Sequence, residues 1–416
     1  MLRRDFLRGA AITGIAATNL FSFAYADDNS KRSVPTVVSR GSYANSKDVF
    51  EKTKRGRVVF LGGSITEMEG HRPIVCEYLK KKFPETEFEF VNAGIASTCS
   101  DVGAFRLEEE VLADKPLDLL FVEFAVNDDQ DGEAPKEHAI RGMEGIVRHV
   151  RKARPNADIQ MTFFANEHLI AEHRAGKIAT SIAAHTLVAE RYDISTSDVA
   201  KALQLEIDSG GMTWEEYGGV HPAPRGAKFA ADLIVQALED AWKRDDKPAP
   251  HPMPAPVSKR SYSNAGWRGF DNIQTNDGKD ARNVKPEEKG FGVYIPEWEK
   301  LPGQFRSNFA NKPFLCATQP GSEATFEFEG NAVAIYILAG PDAGVVEYSV
   351  DGKPFKTFDT HHYFSSGLHY PYAITLDDEL EVGKHTATLR LVKRPPNTKG
   401  GDALRILQIA VNRDSK

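Results

Sequence analysis

Three cysteines in 416 residues are too few for a disulfide-stapled scaffold. Cys76, Cys99 and Cys316 also lack the paired CxxC spacing of a structural zinc site. There is no excess of positive charge. Against 52 basic side chains stand 59 acidic ones, a formal net charge of −7, which argues against nucleic acid as the main partner. No sequence repeat recurs at a fixed period, which excludes a solenoid or propeller. No apolar run suits stable membrane insertion, because the longest candidate, Ala10 to Phe23, is short and interrupted. What is present is ordinary for a globular chain: 41% hydrophobic and 27% charged residues, in a length that suggests two or more domains.

The first residues read as an address. Arg3-Arg4-Asp5-Phe6-Leu7 is a twin-arginine start, and the apolar run follows it. Ala24-Tyr25-Ala26 then supplies the small residues of a cleavage site, ahead of Asp27-Asp28. Residues 1–26 are therefore expected to be a twin-arginine signal peptide. It would export a folded chain across a bacterial inner membrane, to the periplasm or beyond. The alternative is a plain N-terminal anchor helix. Export would expose thiols to oxidation. Two readings stay open: a Cys76–Cys99 disulfide, or three buried free cysteines.

After an N-terminal segment (27–55), short apolar runs alternate with helical patterns. Strands are expected at Arg57–Leu61, Phe88–Asn92, Leu117–Phe124 and Ile159–Phe164. Helices are expected at Pro73–Phe83, Ala139–Lys152, Ile178–Arg191 and Gly226–Arg244. That alternation means α/β: a parallel sheet covered on both faces, over residues 56–245. Lys247 to Pro256 (KPAPHPMPAP) has proline at every second position and reads as a stiff linker within 246–262. Beyond it the period changes to that of strands, as in Ala324–Glu329, with Asp351-Gly352 as a hairpin turn. Residues 263–416 are expected to form an antiparallel sandwich of the jelly-roll kind.

Four short motifs carry the chemistry. Gly62-Gly63-Ser64-Ile65-Thr66 follows a buried strand and precedes a helix, the placement a nucleophilic serine needs. Gly94 ends the next strand, where a bare backbone N–H can approach a ligand. Asn127, before Asp128, ends the third and offers an amide to an oxyanion. His221, in Gly219-Val220-His221-Pro222, can take the serine proton. Each alone has an ordinary structural explanation: a helix N-cap, a strand-end turn, a loop histidine.

Together, the order Ser, Gly, Asn, His at four strand or loop ends resembles the SGNH, or GDSL-type, hydrolase family. The resemblance covers about residues 56–245. It implies a flavodoxin-like αβα sandwich with Ser64 as nucleophile and His221 as general base. The backbone N–H groups of Ser64 and Gly94 and the Asn127 side chain would form the oxyanion hole. The longer wording resembles a subgroup of exported bacterial SGNH proteins thought to act on polysaccharides. Its marks are GGSITEMEGHRP, NAGIASTCSDVGAFRL, LLFVEFAVNDDQD and TWEEYGGVHPAP, then LAGPDAGVVEYSVDG and SSGLHYPY in the second domain.

One position departs from the family pattern. The family usually has aspartate three residues before the histidine, and here that residue is Gly218. Three readings stay open. A backbone carbonyl accepts the Nδ1 proton, giving a Ser–His dyad. Alternatively, Glu215 or Glu216 supplies the acid. The third is a weakened or dead enzyme.

Arg106, His369 and Tyr370 are candidates for substrate contact, with a solvated Arg106 as the bland alternative. Tyr363, Phe364, Tyr370 and Tyr372 suit sugar stacking or a sandwich core. His361-His362 point to opposite faces if on a strand, so no metal is expected, and no cofactor. The leading expectation is an exported serine esterase that removes O-acetyl groups from a polysaccharide or oligosaccharide. The alternatives are a lipase or thioesterase, and a non-catalytic glycan-binding protein.

Overall fold

The computed structural model describes residues 35–413. The expected signal peptide, 1–26, lies outside them.

The first sheet has six strands: β1 (Val37–Val38), β2 (Arg55–Gly62), β3 (Glu87–Gly94), β4 (Leu119–Glu123), β5 (Asp158–Phe163) and β6 (Ser195–Asp198). Their order is β1-β6-β5-β4-β2-β3. All neighbours are parallel except the short edge pair β1–β6. β2 from Val58 onward, and β4 up to Glu123, are apolar and buried, as central parallel strands are when helices cover both faces. On one face pack the helices Ser100–Phe105, Lys136–Ala153 and Thr180–Arg191. On the other pack Ala44–Thr53, His71–Lys82 and Pro224–Trp242. Lys136–Ala153 shows why: Ala139, Ile140, Met143, Ile146, Val147 and Val150 recur at helical spacing and are all buried. Pro224 starts its helix at the one place where a missing N–H costs nothing.

This is an αβα sandwich with the flavodoxin-like strand order. The connection out of β2 runs to β3 on one side, and the chain then returns to β4 on the other. The switch point therefore lies at the carboxyl ends of β2 and β4, where such sheets bind ligands.

The proline stretch makes no helix or strand, as its composition dictates. It is nevertheless pinned to the α/β domain. His251 Nε2 meets Asp158 Oδ1 at 2.8 Å, and Arg148 and Arg151 donate to the carbonyls of Pro254 and Pro252. Just beyond it, the Ser258 N–H donates to buried Glu144.

The remaining strands are β7 (Ala265–Trp267), β8 (Ile273–Thr275), β9 (Gly292–Tyr294), β10 (Phe314–Ala317), β11 (Glu323–Gly330) and β12 (Ala332–Ala339). They continue as β13 (Val345–Val350), β14 (Lys356–Asp359), β15 (Tyr370–Asp377), β16 (Gly383–Val392) and β17 (Leu404–Asn412). One sheet runs β15-β12-β17-β10-β9, with β7 also on β17. The other runs β14-β13-β16-β11-β8, and every pairing is antiparallel. Ile335, Ile337, Ile406 and Ile409 of the first sheet share a core with Phe326, Leu389 and Val346 of the second. β11 alternates buried and open positions as an outer sheet should. β12 reads AVAIYILA and is buried at every position. Its second face, with Tyr336 and Leu338, packs near Val102, while Trp267 stacks on Tyr336 with ring centres 5.9 Å apart. The two domains thus share apolar core.

Candidate active site

β2 ends at Gly62, and Ser64–Glu67 is a single helical turn that presents Ser64 half-exposed above the sheet. The two glycines before it have steric reasons. A Cβ at Gly62 would fall 2.2 Å from Glu123 Oε1, and one at Gly63 would fall 2.2 Å from Asn127 Oδ1. Side chains at the end of β4 and in the turn after it therefore need a bare backbone at the end of β2. Glu123 is buried and clamps the turn. Its Oε1 accepts from the Gly63 N–H at 2.9 Å and from the Thr66 hydroxyl at 2.7 Å. Burial pushes its carboxyl up to about 7, against the pull of those donors. Ser64 opens the helical turn, so its N–H has no intrahelical acceptor and is available to an incoming oxygen.

His221 reaches Ser64 from the loop between the short helix Trp214–Tyr217 and the helix Pro224–Trp242. Its Nε2 lies 2.7 Å from Ser64 Oγ. The loop turns through Gly218 (φ +107°) and Gly219 (φ +76°), both left-handed. A Cβ at Gly218 would sit 2.1 Å from the Ala223 nitrogen. Backbone occupies the place an aspartate side chain would leave from, so this loop excludes the usual acid. The glutamates upstream do not replace it. Glu216 is held in a capping box with Thr213 and pairs with Arg225 at 2.7 Å. Glu215 is exposed and, like Glu216, makes no hydrogen bond or ion pair with His221. Among the described residues, Ser64 is the one hydrogen-bond partner of His221.

Asn127 lies in the turn Ala125–Gln130 that follows β4, across the switch point from Ser64. It is 2% exposed, and its amide lies against Gly63. Nδ2 donates to Asp131 Oδ2 at 2.6 Å, and Asp131 Oδ1 accepts from the Tyr370 hydroxyl at 2.8 Å. Gly94 ends β3 in register with Gly62 and packs so close to Glu67 that a Cβ would fall 2.3 Å from its nitrogen. Its N–H is at present taken by Asn92 Oδ1 at 2.9 Å, so it serves an oxyanion only if Asn92 lets go. Asp128 braces the site from below. It accepts from the Ser100 N–H and hydroxyl, and faces buried His185 at 2.9 Å.

Three candidate substrate contacts have other work. Arg106 is 1% exposed: Nη2 donates to the Gly62 carbonyl at 3.1 Å and Nη1 pairs with Glu110, so it supports the end of β2 from inside. His369 is buried, meets the Pro302 carbonyl at 3.1 Å and packs edge-on against Trp298. Tyr370 is 2% exposed and contacts Asp131. All three cysteines are free, and of the three Cys316 is fully buried.

Glu123 and Asp131 escaped the motif reading. Each left a trace. Glu123 is the lone charge in an otherwise apolar strand end, LLFVEF, and Asp131 stands four residues after Asn127, the spacing at which helical neighbours meet.

Between the two domains lies a cavity of about 560 Å³. Ser97, Asp131 and His138 line it from the α/β side, and Phe358, Tyr363 and Tyr372 from the sandwich. Tyr363 is 85% exposed. Asp131 thus borders both the cavity and Asn127.

A strand-end serine bonded to a loop histidine, with an amide across the switch point, defines an acyl-transfer type of site on an αβα sheet. Residues 60–229, within the αβα domain, match the model of the GDSL-like lipase/acylhydrolase family. The two-domain architecture is similar to the crystal structure of a two-domain esterase (CEX) active on acetylated mannans. That match has 22% identity over 91% of this chain and 98% of the other, with a TM-score of 0.72. It is similar also to that of a two-domain esterase (CEX) co-crystallised with mannopentaose, at 21% identity over 91% and 97%, with a TM-score of 0.71. No curated protein matches the chain.

Proposed function

We propose that the protein is an exported serine esterase that removes acetyl groups from a polysaccharide or oligosaccharide, using Ser64 and His221 as a dyad. The observation that carries this reading is the 2.7 Å Ser64–His221 hydrogen bond at the carboxyl end of the sheet. His221 Nε2 takes the serine proton as Oγ bonds to the ester carbonyl carbon. The oxyanion is received by the Ser64 N–H and the Asn127 amide, joined by the Gly94 N–H when Asn92 swings away. The carbon–oxygen bond to the sugar breaks, and the sugar oxygen leaves with the proton from Nε2. Water then attacks the acetyl-enzyme and gives a proton to His221, the acyl carbon–Oγ bond breaks, and His221 returns that proton to Ser64 Oγ as acetate leaves.

A fold shared with esterases whose described activity is on acetylated mannans makes acetylated mannan the first substrate to try. The interdomain cavity supports a glycan. It is of a size for sugar rings, and the rings of Phe358, Tyr363 and Tyr372 offer flat apolar faces beside polar groups. The twin-arginine start supports action outside the inner membrane, where such polymers occur. The test is acetate release from 4-nitrophenyl acetate and acetylated mannan by wild type and by Ser64→Ala. Release that disappears in the variant supports the esterase. Full turnover by Ser64→Ala would overturn the mechanism. No release from any ester by the wild type would favour a glycan-binding protein.

A further inference from the structure

The sandwich domain reaches the catalytic turn through one continuous chain of hydrogen bonds. Tyr370, the first residue of β15, donates to Asp131 Oδ1 at 2.8 Å, and Asp131 Oδ2 accepts from Asn127 Nδ2 at 2.6 Å. We propose that Tyr370 is a positioning residue of the esterase site, fixing the Asn127 amide through Asp131 so that its second N–H is aimed at the oxyanion. The proposal rests on the esterase reading above.

The chemistry of the three groups supports it. An ionised carboxylate accepts and cannot donate, so the Asn127 group facing Asp131 must be the NH2 end. One Nδ2 proton is then spent on Asp131, and the amide plane is set. The other proton is directed without any choice left to the side chain. An oxyanion hole gains from such preorganisation because no reorientation is needed as charge develops. Asn127 alone does not have this restraint. It sits in a short turn, and among the described residues its only side-chain donation is to Asp131. Asp131 in turn needs Tyr370: it is half-buried, and without that hydroxyl Oδ1 would lose a strong donor.

Tyr370 is itself closely packed. It is 2% exposed and stacked on His362, with ring centres 4.5 Å apart and planes 3° apart. His362 and Asp131 both line the interdomain cavity, so a chain filling that cavity lies against this relay. The second domain, on this view, contributes to turnover itself and not only to holding substrate.

The carboxyl group supplies a readout that a merely structural tyrosine would not move. Burial raises the Asp131 pKa, and the donors Tyr370, Asn127 and Gln130 hold it down, with His362 helping from the sandwich. Other ionisable groups nearby are Glu133 and His361, which face His362, and Asp101 and Asp128, which with Asp131 surround the Cys99 thiol, itself pushed well up by desolvation. Removing the Tyr370 hydroxyl removes a donor to the charged form, so Asp131 protonates at higher pH. A protonated carboxyl can turn an O–H towards Asn127, where an acceptor is needed.

The test is the kinetics of Tyr370→Phe on 4-nitrophenyl acetate and on an acetylated mannan oligosaccharide, from pH 4 to 9. The expected result is a kcat lower by about tenfold with KM nearly unchanged, since the oxyanion contact is made in the transition state. The acidic limb of the kcat profile should also move to higher pH, while the melting temperature stays near that of wild type. Wild-type kcat and pH profile in Tyr370→Phe would overturn the proposal. So would a lower kcat that comes only with a lower melting temperature and an unmoved acidic limb. If Tyr370→Phe does not fold, Asp131→Ala removes both acceptors and breaks the same chain from the other side, and wild-type kcat in that variant would overturn the proposal equally. Ser64→Ala is run alongside. Activity surviving there defeats the esterase reading, whereas a dead Ser64→Ala beside a fully active Tyr370→Phe defeats the relay alone.

Discussion

Ser64 Oγ and His221 Nε2 stand 2.7 Å apart, while the residue three places before the histidine, Gly218, is locked by its own geometry against carrying an acid. Its φ of +107° is strained for any L side chain, and its missing Cβ would meet backbone at 2.1 Å. Restoring the aspartate of the family pattern is therefore expected to fail. Gly218→Asp should lower stability by about 2 kcal/mol or more and should not raise kcat. Thermal unfolding and ester turnover of the purified variant check both halves. A stable Gly218→Asp with faster turnover would show that the loop accommodates a third member.

The roles around the dyad should separate in kinetics. Ser64→Ala and His221→Ala remove bond-making and proton transfer, and each should lower kcat by about 10³-fold or more. Asn127→Ala should cost about 10²-fold, the usual effect of losing one oxyanion donor, with KM little changed. Steady-state rates on a chromogenic acetate ester suffice. Equal loss in kcat/KM through KM alone would place Asn127 in ground-state binding instead.

Much of this was legible in the sequence, for physical reasons that can be named. β2 and β4 are central and covered on both faces, so they read as apolar runs, and the serine and asparagine follow them directly. β6 (Ser195–Asp198) was not visible. Its sequence, STSD, is polar, and its burial depends on partners such as Gln160, which donates to Ser197, and Arg40, whose N–H donates to Ser195. β12 is buried at every position, so its sequence has none of the alternation that would tell which face meets the α/β domain. Arg106 and His369 illustrate the limit of residue type as evidence. Both are polar, and both are spent on backbone carbonyls inside the fold, where long-range geometry and not local pattern decides. In the link from Tyr370 to Asn127, the step from Asp131 to Tyr370 spans 239 residues and leaves no local signal.

Substrate size should show in the aromatic wall of the cavity. Tyr363 is 85% exposed, and its loss removes no core packing. Tyr363→Ala is expected to raise KM for acetylated mannan oligosaccharides by about 3- to 10-fold, an effect on the scale of one ring contact. It should leave 4-nitrophenyl acetate turnover unchanged, because that ester carries no sugar ring for Tyr363 to hold and Ser64 is not among the cavity's lining residues. The two substrates measured on the same preparation decide. Unchanged KM for both would place the glycan elsewhere.

Glu123 makes the catalytic turn sensitive to pH through stability. Its carboxyl is buried under Gly63 and Thr66, and its pKa is pushed to about 7 from an ordinary value near 4.5. The folded state therefore holds a proton that the unfolded state has lost between about pH 4.5 and 7, and the sign follows from linkage. A raised acid contributes its full stability below the unfolded value and loses it as pH rises towards the folded one. The difference is on the order of 3 kcal/mol across that window. Glu123→Gln keeps the acceptor for Gly63 and Thr66 but removes the titration. Its melting temperature should fall less than that of wild type as pH rises from 4.5 to 7.5, so the gap between the two proteins should move in favour of the variant. His71 is also buried, with its pKa pushed down to about 3, and it works in the opposite direction. Its contribution is common to both proteins and cancels in the comparison. A gap that stays constant with pH would mean that Glu123 is ionised throughout, and that the Gly63–Thr66 turn is clamped by a carboxylate.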